Sequence, residues 1–255
     1  MAYSFDNAFD LTGKTAIVTG GAAGIGLAIA RLFAARGAAL VLVDVSPAVA
    51  DVAASLPGGA ARHTAIVADV TDAKAVEGVV AAAVKRGGGV DILVNNAGIA
   101  LLEKAETATE ADWDRTMAVN VKGPFLLARA AGKVMIARKS GRIVNIASQA
   151  SIIALDRHVA YCTSKAAIVG MTKVLAAEWA QHGITVNAVS PTVVETELGK
   201  KAWSGEVGEA MKKKIPVGRF AQPEEIAAAV LYLVGAVSGM ITGENLIIDG
   251  GYTIQ

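Results

Sequence analysis

One cysteine in 255 residues, Cys162, has no partner to pair with, which excludes an internal disulfide framework and any cysteine-based zinc site. Histidine is nearly as rare. His63, His158 and His182 show none of the usual ligand spacings, so no metal is expected. Charge is scarce too: 18% of residues are charged, and 24 Lys plus Arg against 23 Asp plus Glu leave a formal net charge of +1. No overall field favours nucleic acid or an anionic membrane, so neither is an expected partner and any ligand must be recognised locally. The opening MAYSFDNAFDLTGK has no basic start followed by an apolar stretch, so no targeting segment is expected and the mature chain should begin near Met1. The single thiol fits a reducing compartment, and the expected location is the cytoplasm. No Pro/Ser-rich linker or shift of composition divides the chain, which implies one domain over 1–255.

What is abundant is hydrophobicity. Hydrophobic residues make up 53% of the chain and mean hydropathy is +0.47, the composition of a folded protein. Residues 226–243 carry no charge over 18 positions, close to the ~20 that span a bilayer. Pro223 and Glu224 open this stretch, and Gly235, Ser238, Gly239, Thr242 and Gly243 crowd its second half. That pattern reads as a buried helix to about Val234 followed by a loop.

Seven runs rich in Val, Ile and Leu, at 15–20, 39–44, 63–69, 90–98, 141–148, 184–190 and 245–251, alternate with longer helical patterns. Continuously apolar strands between amphipathic helices imply βαβ units and a doubly wound α/β fold of the Rossmann type, a seven-stranded parallel sheet covered on both faces. Ile25, Ile29, Leu32 and Phe33 form the apolar stripe of the first helix, with Gly37 past its end. An irregular insertion is expected at about 191–215.

The first strand runs into TGGAAGIG, placing Gly20, Gly24 and Gly26 at a strand-to-helix turn. Glycines there let the backbone approach a pyrophosphate, and the helix N-terminus receives its charge. The spacing is TGxxxGxG rather than GxGxxG, and a glycine-rich turn of any α/β protein remains the alternative. Asp44 ends the second strand 18 residues beyond Gly26, near the ~20-residue offset at which a carboxylate bonds a ribose 2′-hydroxyl and repels a 2′-phosphate. With no basic side chain at Ala22 or Ala23, this favours NAD over NADP, although an ordinary solvated acid would look the same.

Tyr161 and Lys165 sit four apart in YCTSK, on one face of a helix continuing to about Ala180. A tyrosine of pKa about 10 is only ~0.1% phenolate at pH 7, a deficit of roughly 4 kcal/mol. A cation about 5 Å away contributes ~3 kcal/mol at an effective dielectric of 20. A surface Tyr/Lys pair would show the same spacing. Thirteen residues upstream, Ser148 ends the strand IVNIAS at the carboxyl edge of the sheet, where ligands bind. Asn120 interrupts an apolar helical pattern, and Asn95 and Asn96 follow the fourth strand.

Taken together, TGGAAGIG, Asp69 in ADVTD, NNAG at 95–98, Asn120, Ser148, YCTSK at 161–165 and DGG at 249–251 resemble the short-chain dehydrogenase/reductase family over essentially the whole chain. The resemblance implies an NAD-dependent oxidoreductase in which Asn120, Ser148, Tyr161 and Lys165 form a catalytic tetrad. It places Gly20, Gly24, Ile25, Gly26, Asp44, Asp69, Val70, Asn96, Ala97, Gly98, Pro191, Val194 and Thr196 along the cofactor, together with Tyr161 and Lys165. Asp69 and Val70 would contact adenine, Val194 the carboxamide through its backbone, and Thr196 the phosphates. Asn120 would hold a water that relays the proton to solvent. Many family members have Pro-Gly where this chain has Pro191-Thr192, and by the resemblance the added side chain would narrow the nicotinamide pocket.

HVAYCTSK, SPTVVETELGKKAW and DGGYTIQ are similar to the family's sugar-alcohol dehydrogenases, which implies a small polyol such as threitol or arabitol as substrate, or its ketose. Ser148 and Tyr161 would meet its reacting oxygen, with Gln149, His158 and Trp203 as further substrate contacts; a packed or solvated loop histidine is the alternative for His158. The insertion would close as a lid, with Lys212, Lys213 and Lys214 on a solvated helix face. The resemblance also implies a homotetramer paired through helices at about 109–136 and 158–180. Two other functions stay open: a 3-oxoacyl-carrier-protein reductase, and a dinucleotide sensor without turnover.

Overall fold

The computed structural model describes residues 7–197, 199 and 203–254. Its centre is a parallel sheet of seven strands in the order β3-β2-β1-β4-β5-β6-β7. These are β1 (Thr15–Thr19), β2 (Ala39–Asp44), β3 (Thr64–Val67), β4 (Ile92–Asn95), β5 (Gly141–Ile146), β6 (Ile184–Pro191) and β7 (Asn245–Ile248). All seven strands fall where the apolar runs place them. Several runs overshoot because their last residues, such as Ala97-Gly98 and Ala147-Ser148, leave the ladder to build the loops above it.

Alternate residues point to opposite faces of each strand, which splits the core in two. Val18, Leu40, Leu42, Val94, Val144 and Val189 face α1 (Gly24–Ala35) and α9 (Pro223–Val234), meeting Ile29, Phe33, Ile226 and Val230. Ile17, Val41, Val43, Leu93, Ile143 and Val186 face α4 (Ala73–Gly87), α6 (Gly123–Arg138) and α7 (Val159–Trp179), meeting Val79, Leu127, Met135 and Leu175. Two short helices, α2 (Val49–Ser55) and α3 (Gly59–Arg62), lead into β3. In the expected stripe of α1, Ile29 and Phe33 are fully buried while Ile25 and Leu32 pack at its margin.

The uncharged stretch 226–243 begins in α9, with its apolar side chains in the core, and then turns into loop. Pro223 starts α9, and Gln222 with Glu225 caps it reciprocally. Among the described residues no helix is long and apolar enough to cross a membrane. The region at about 191–215 is more regular than expected. Pro191 completes β6, and α8 (Gly205–Lys214) is a helix whose few apolar residues conceal its period. Positions 198 and 200–202 of this insertion lie outside the described residues.

Strand order reverses between β1 and β4: β2 and β3 extend to one side, β5 to β7 to the other. The crossovers diverge there and leave a crevice at the carboxyl ends of the strands.

Candidate active site

The loops above β1 and β4 are tied into one unit. Thr19 Oγ1 accepts from Asn96 N at 2.9 Å and Ala97 N at 3.0 Å, and Asn96 Nδ2 donates to Thr19 O and Gly20 O at 2.9 and 3.2 Å. Gly20 and Gly24 have φ of +64° and +54°, the left-handed region that favours glycine. Gly26 is required for closeness instead, since a Cβ there would lie 2.0 Å from Gly20 O. The residue capping α1, Ala23, offers no side-chain bond, and no acid stands in the first turn. The positive end of the helix is thereby kept for an anion, and this bare turn fits the pyrophosphate of a dinucleotide. Thr196 stands over it, its methyl 3.1 Å from where a Gly24 Cβ would be, while its hydroxyl accepts from Gly199 N.

A cleft of about 390 Å³ opens beside this turn. Of the residues singled out from the sequence, Gly20, Gly24, Ile25, Asn96, Ala97, Gly98, Ser148, Gln149, His158, Tyr161, Lys165, Pro191, Val194, Thr196 and Trp203 line it. Gly26, Asp44, Asp69, Val70 and Asn120 do not. Asp44, Asp69 and Val70 stand at or beyond the carboxyl ends of β2 and β3, on the far side of the glycine turn. Asp44 is already engaged there: Oδ2 accepts from Ala22 N at 3.0 Å and Oδ1 from Ser46 N at 2.9 Å, so it braces the turn as well as charging it. Asp69 Oδ1 likewise accepts from Thr71 N, and Val70 is buried.

Tyr161 and Lys165 lie one turn apart on α7, with Lys165 Nζ 5.6 Å from the centre of the Tyr161 ring and donating to Ile146 O at 2.8 Å. The expected electrostatics need correction. Burial pulls Lys165 down to about 8 and pushes the Tyr161 phenol up, the nearby Ser148 hydroxyl opposing the rise. A pairwise charge argument omits the desolvation that disfavours both charged forms, so the cation alone does not bring the phenol down. Ser148 lies two residues past β5 and accepts from Ala150 N at 3.2 Å.

Asn120 is not in an ordinary helix. It is buried in a π-helical turn, Ala118–Lys122, between α5 (Glu110–Met117) and α6. Its Oδ1 accepts from Ile99 N at 2.8 Å, and Nδ2 donates to Ile99 O at 2.9 Å and Ser164 Oγ at 3.0 Å. Ser164 Oγ in turn donates to Tyr161 O at 2.7 Å. Asn120 thus ties the loop after β4 to the helix bearing Tyr161. Neither Ser164 nor Ile99 could be found from the sequence, because both partners are given only by the fold.

At the other end of the cleft, His158 precedes the first turn of α7 rather than lying within it. Its ring still meets Tyr161 edge-on, with centroids 6.0 Å apart, and Nδ1 bonds Asp156 O. Trp203 packs with Val193, Met211, Ile215 and Phe220, so α8 and the segment before it share a small core of their own. Bridge bonds from Ala221 N to Val193 O and from Glu195 N to Ala221 O flank Val194, turning its own peptide groups away from Ala221. Thr192 lines the cleft, and Cys162 does not.

A family model described as enoyl-(acyl carrier protein) reductase matches residues 20–253. The chain is 58% identical over 251 residues to an NAD-dependent glycerol dehydrogenase of Listeria innocua, covering 98% of each. It is 51% identical over 253 residues to a D-threitol dehydrogenase of Mycolicibacterium smegmatis, covering 99% of this chain and 97% of the relative. The structure of a gluconate 5-dehydrogenase from Burkholderia cenocepacia, in complex with NADP and tartrate, superposes with a TM-score of 0.92 at 35% identity and 98% coverage of both chains. This chain belongs to the short-chain dehydrogenase/reductase family.

Proposed function

We propose that this protein is an NAD-dependent dehydrogenase that oxidises a secondary hydroxyl of a small linear polyol, such as D-threitol, to the ketose. One observation carries the reading. Tyr161 and Ser148 line the same cleft, with the Lys165 ammonium 5.6 Å from the centre of the Tyr161 ring. The names of the Listeria and Mycolicibacterium relatives support both the substrate class and the cofactor. Glycerol and threitol share a hydroxyl on the carbon next to the one oxidised.

Ser148 Oγ holds the substrate oxygen, and Tyr161, as phenolate, takes its proton. Lys165 offsets part of the phenolate's cost, and Asn120 holds α7 against the loop bearing Ile99 so that both groups keep their places. A bound NAD would supply the acceptor for the carbinol hydride and a positive ring that helps to stabilise the phenolate. The glycine turn and Thr196 would hold its phosphates, Asp69 and Val70 its adenine, and Val194 its carboxamide. Asp44 speaks for NAD although the Burkholderia structure holds NADP: its charge stands beside the turn, where a 2′-phosphate would be repelled. The segment 191–215, with Trp203 facing the cleft, would serve as the lid.

The assembly we favour is a cytoplasmic homotetramer paired through α5–α6 and α7. Phe125 and Val174 are exposed there, at 43% and 56%.

The experiment is a screen of both nicotinamide cofactors against threitol, glycerol, a monohydric secondary alcohol and acetoacetyl thioester, following absorbance of the reduced cofactor. NAD⁺ with a polyol of about four to five carbons should give the highest kcat/KM. Faster turnover of the thioester with NADPH would move the assignment to a 3-oxoacyl reductase, and no turnover at all would leave a sensor.

A further inference from the structure

Among the described residues, five buried side-chain atoms have no hydrogen-bond partner: His63 Nδ1, Asn95 Oδ1, Gln149 Oε1, Thr185 Oγ1 and Thr192 Oγ1. Only Gln149 and Thr192 line the cleft. They are 2% and 6% exposed and the two atoms themselves are closed to water, so a ligand hydroxyl meets them once the side chains turn toward the cleft about their own torsions. Native proteins seldom leave such groups unpaired, and two in one cleft point to a ligand that completes them.

Their backbones are fixed. Gln149 O accepts from Ile152 N and Ile153 N, and Thr192 N donates to Ile248 O. Gln149 directly follows Ser148 at the end of β5, and Thr192 is the first residue past β6, the neighbouring strand. Both therefore flank the place where Ser148 and Tyr161 meet the reacting oxygen. Ile99, Leu102 and Leu155 make aliphatic parts of the same wall. The carbonyl oxygen Gln149 Oε1 can only accept, whereas a threonine hydroxyl can donate. A neutral hydroxyl can donate to the first and accept from the second.

We propose that Gln149 Oε1 and Thr192 Oγ1 together hold the hydroxyl on the carbon adjacent to the one oxidised, donating to the first and accepting from the second. This rests on the polyol reading and deepens it, since it assigns the selection of vicinal hydroxyls to a pair of residues. The threonine following Pro191 is then a specificity determinant, beyond merely narrowing the pocket.

The test compares butane-2,3-diol with butan-2-ol, which differ by the one hydroxyl concerned. For Thr192→Val, which keeps the shape and removes the hydroxyl, the ratio of kcat/KM for diol over monohydric alcohol should fall roughly 10- to 100-fold. Gln149→Leu should lower the same ratio, and Thr192→Ser should restore most of it. The KM for NAD⁺ should stay within about twofold of the parent for Thr192→Val. A ratio unchanged in both Thr192→Val and Gln149→Leu overturns the proposal, and a raised KM for NAD⁺ with an unchanged ratio assigns Thr192 to the cofactor instead. Should the unaltered enzyme oxidise both alcohols equally well, the polyol reading fails first and takes this proposal with it. A diol preference that survives the variants sinks this proposal alone.

Discussion

Asn120 and Ile99 are joined twice, Ile99 N to Asn120 Oδ1 at 2.8 Å and Asn120 Nδ2 to Ile99 O at 2.9 Å, as two peptide groups pair in a sheet. The side chain thus substitutes for backbone where the chain leaves β4, and its remaining N–H reaches Ser164 on α7. Replacing Asn120 with Ala leaves Ile99 N–H, Ile99 O and a buried hydroxyl without this partner. Stability should drop by about 2–4 kcal/mol, read from the urea midpoint. Tyr161 would lose its registry with the loop, and kcat should fall more than tenfold. A fully active Asn120→Ala enzyme would remove Asn120 from any positioning role.

The pH dependence of the reaction follows from burial at Tyr161 and Lys165. Oxidation uses the phenolate, and a phenol pushed up by burial gives up its proton later, so the oxidation rate should climb as pH rises from neutrality. Reduction needs the protonated phenol and should fall over the same range. Lys165, at about 8, loses its charge as pH passes through that value, which should flatten the rise above it. In Lys165→Met the rise should move to higher pH, and Tyr161→Phe should lose about 10²–10⁴-fold in kcat at every pH. Rate profiles in both directions check this; a Lys165→Met profile superimposable on the parent's would show that the cation does not act on the phenol.

The strands, the glycine turn and α7 are legible in the sequence because each rests on local pattern: apolar runs bounded by glycine, and Tyr161 and Lys165 separated by one helical turn. What escapes local pattern depends on distant chain segments meeting. The π turn around Asn120 is held by Ile99, 21 residues away, and by Ser164, 44 residues away. The desolvation at Lys165 comes from the sheet against which α7 lies, where Ile146 O receives its ammonium. Helix α8 is hidden for another reason: Met211 is its one large apolar side chain to be buried.

Cofactor choice should respond to Asp44 in two ways. Asp44→Ser removes the charge that repels a 2′-phosphate, so the ratio of kcat/KM for NADP⁺ over NAD⁺ should increase at least tenfold. It also weakens the tie to Ala22 N, made by Oδ2 at 3.0 Å, so KM should rise for NAD⁺ itself. Initial rates with each cofactor at saturating polyol separate the two effects. If the parent enzyme already has the higher kcat/KM with NADP⁺, Asp44 is a brace for the turn and nothing more.

Gly98 faces both Asn120 and Lys165. A Cβ built there would lie 3.3 Å from Asn120 Oδ1 and 3.6 Å from Lys165 Nζ, in the space between an acceptor and a cation. Two polar groups converging on a gap of this size suit a water that passes the proton of Tyr161 onward. An alanine methyl fills that gap with side-chain atoms as its nearest neighbours, and Asn120 Oδ1 must give by a few tenths of an ångström, so Gly98→Ala should fold with a loss of about 1–2 kcal/mol. Its kcat for oxidation should nevertheless fall about tenfold or more, because the proton can leave only by a poorer route. A solvent deuterium isotope effect larger in Gly98→Ala than in the parent would locate the loss in proton transfer. A lower kcat with an unchanged isotope effect would place the damage in cofactor binding, since Gly98 also lines the cleft.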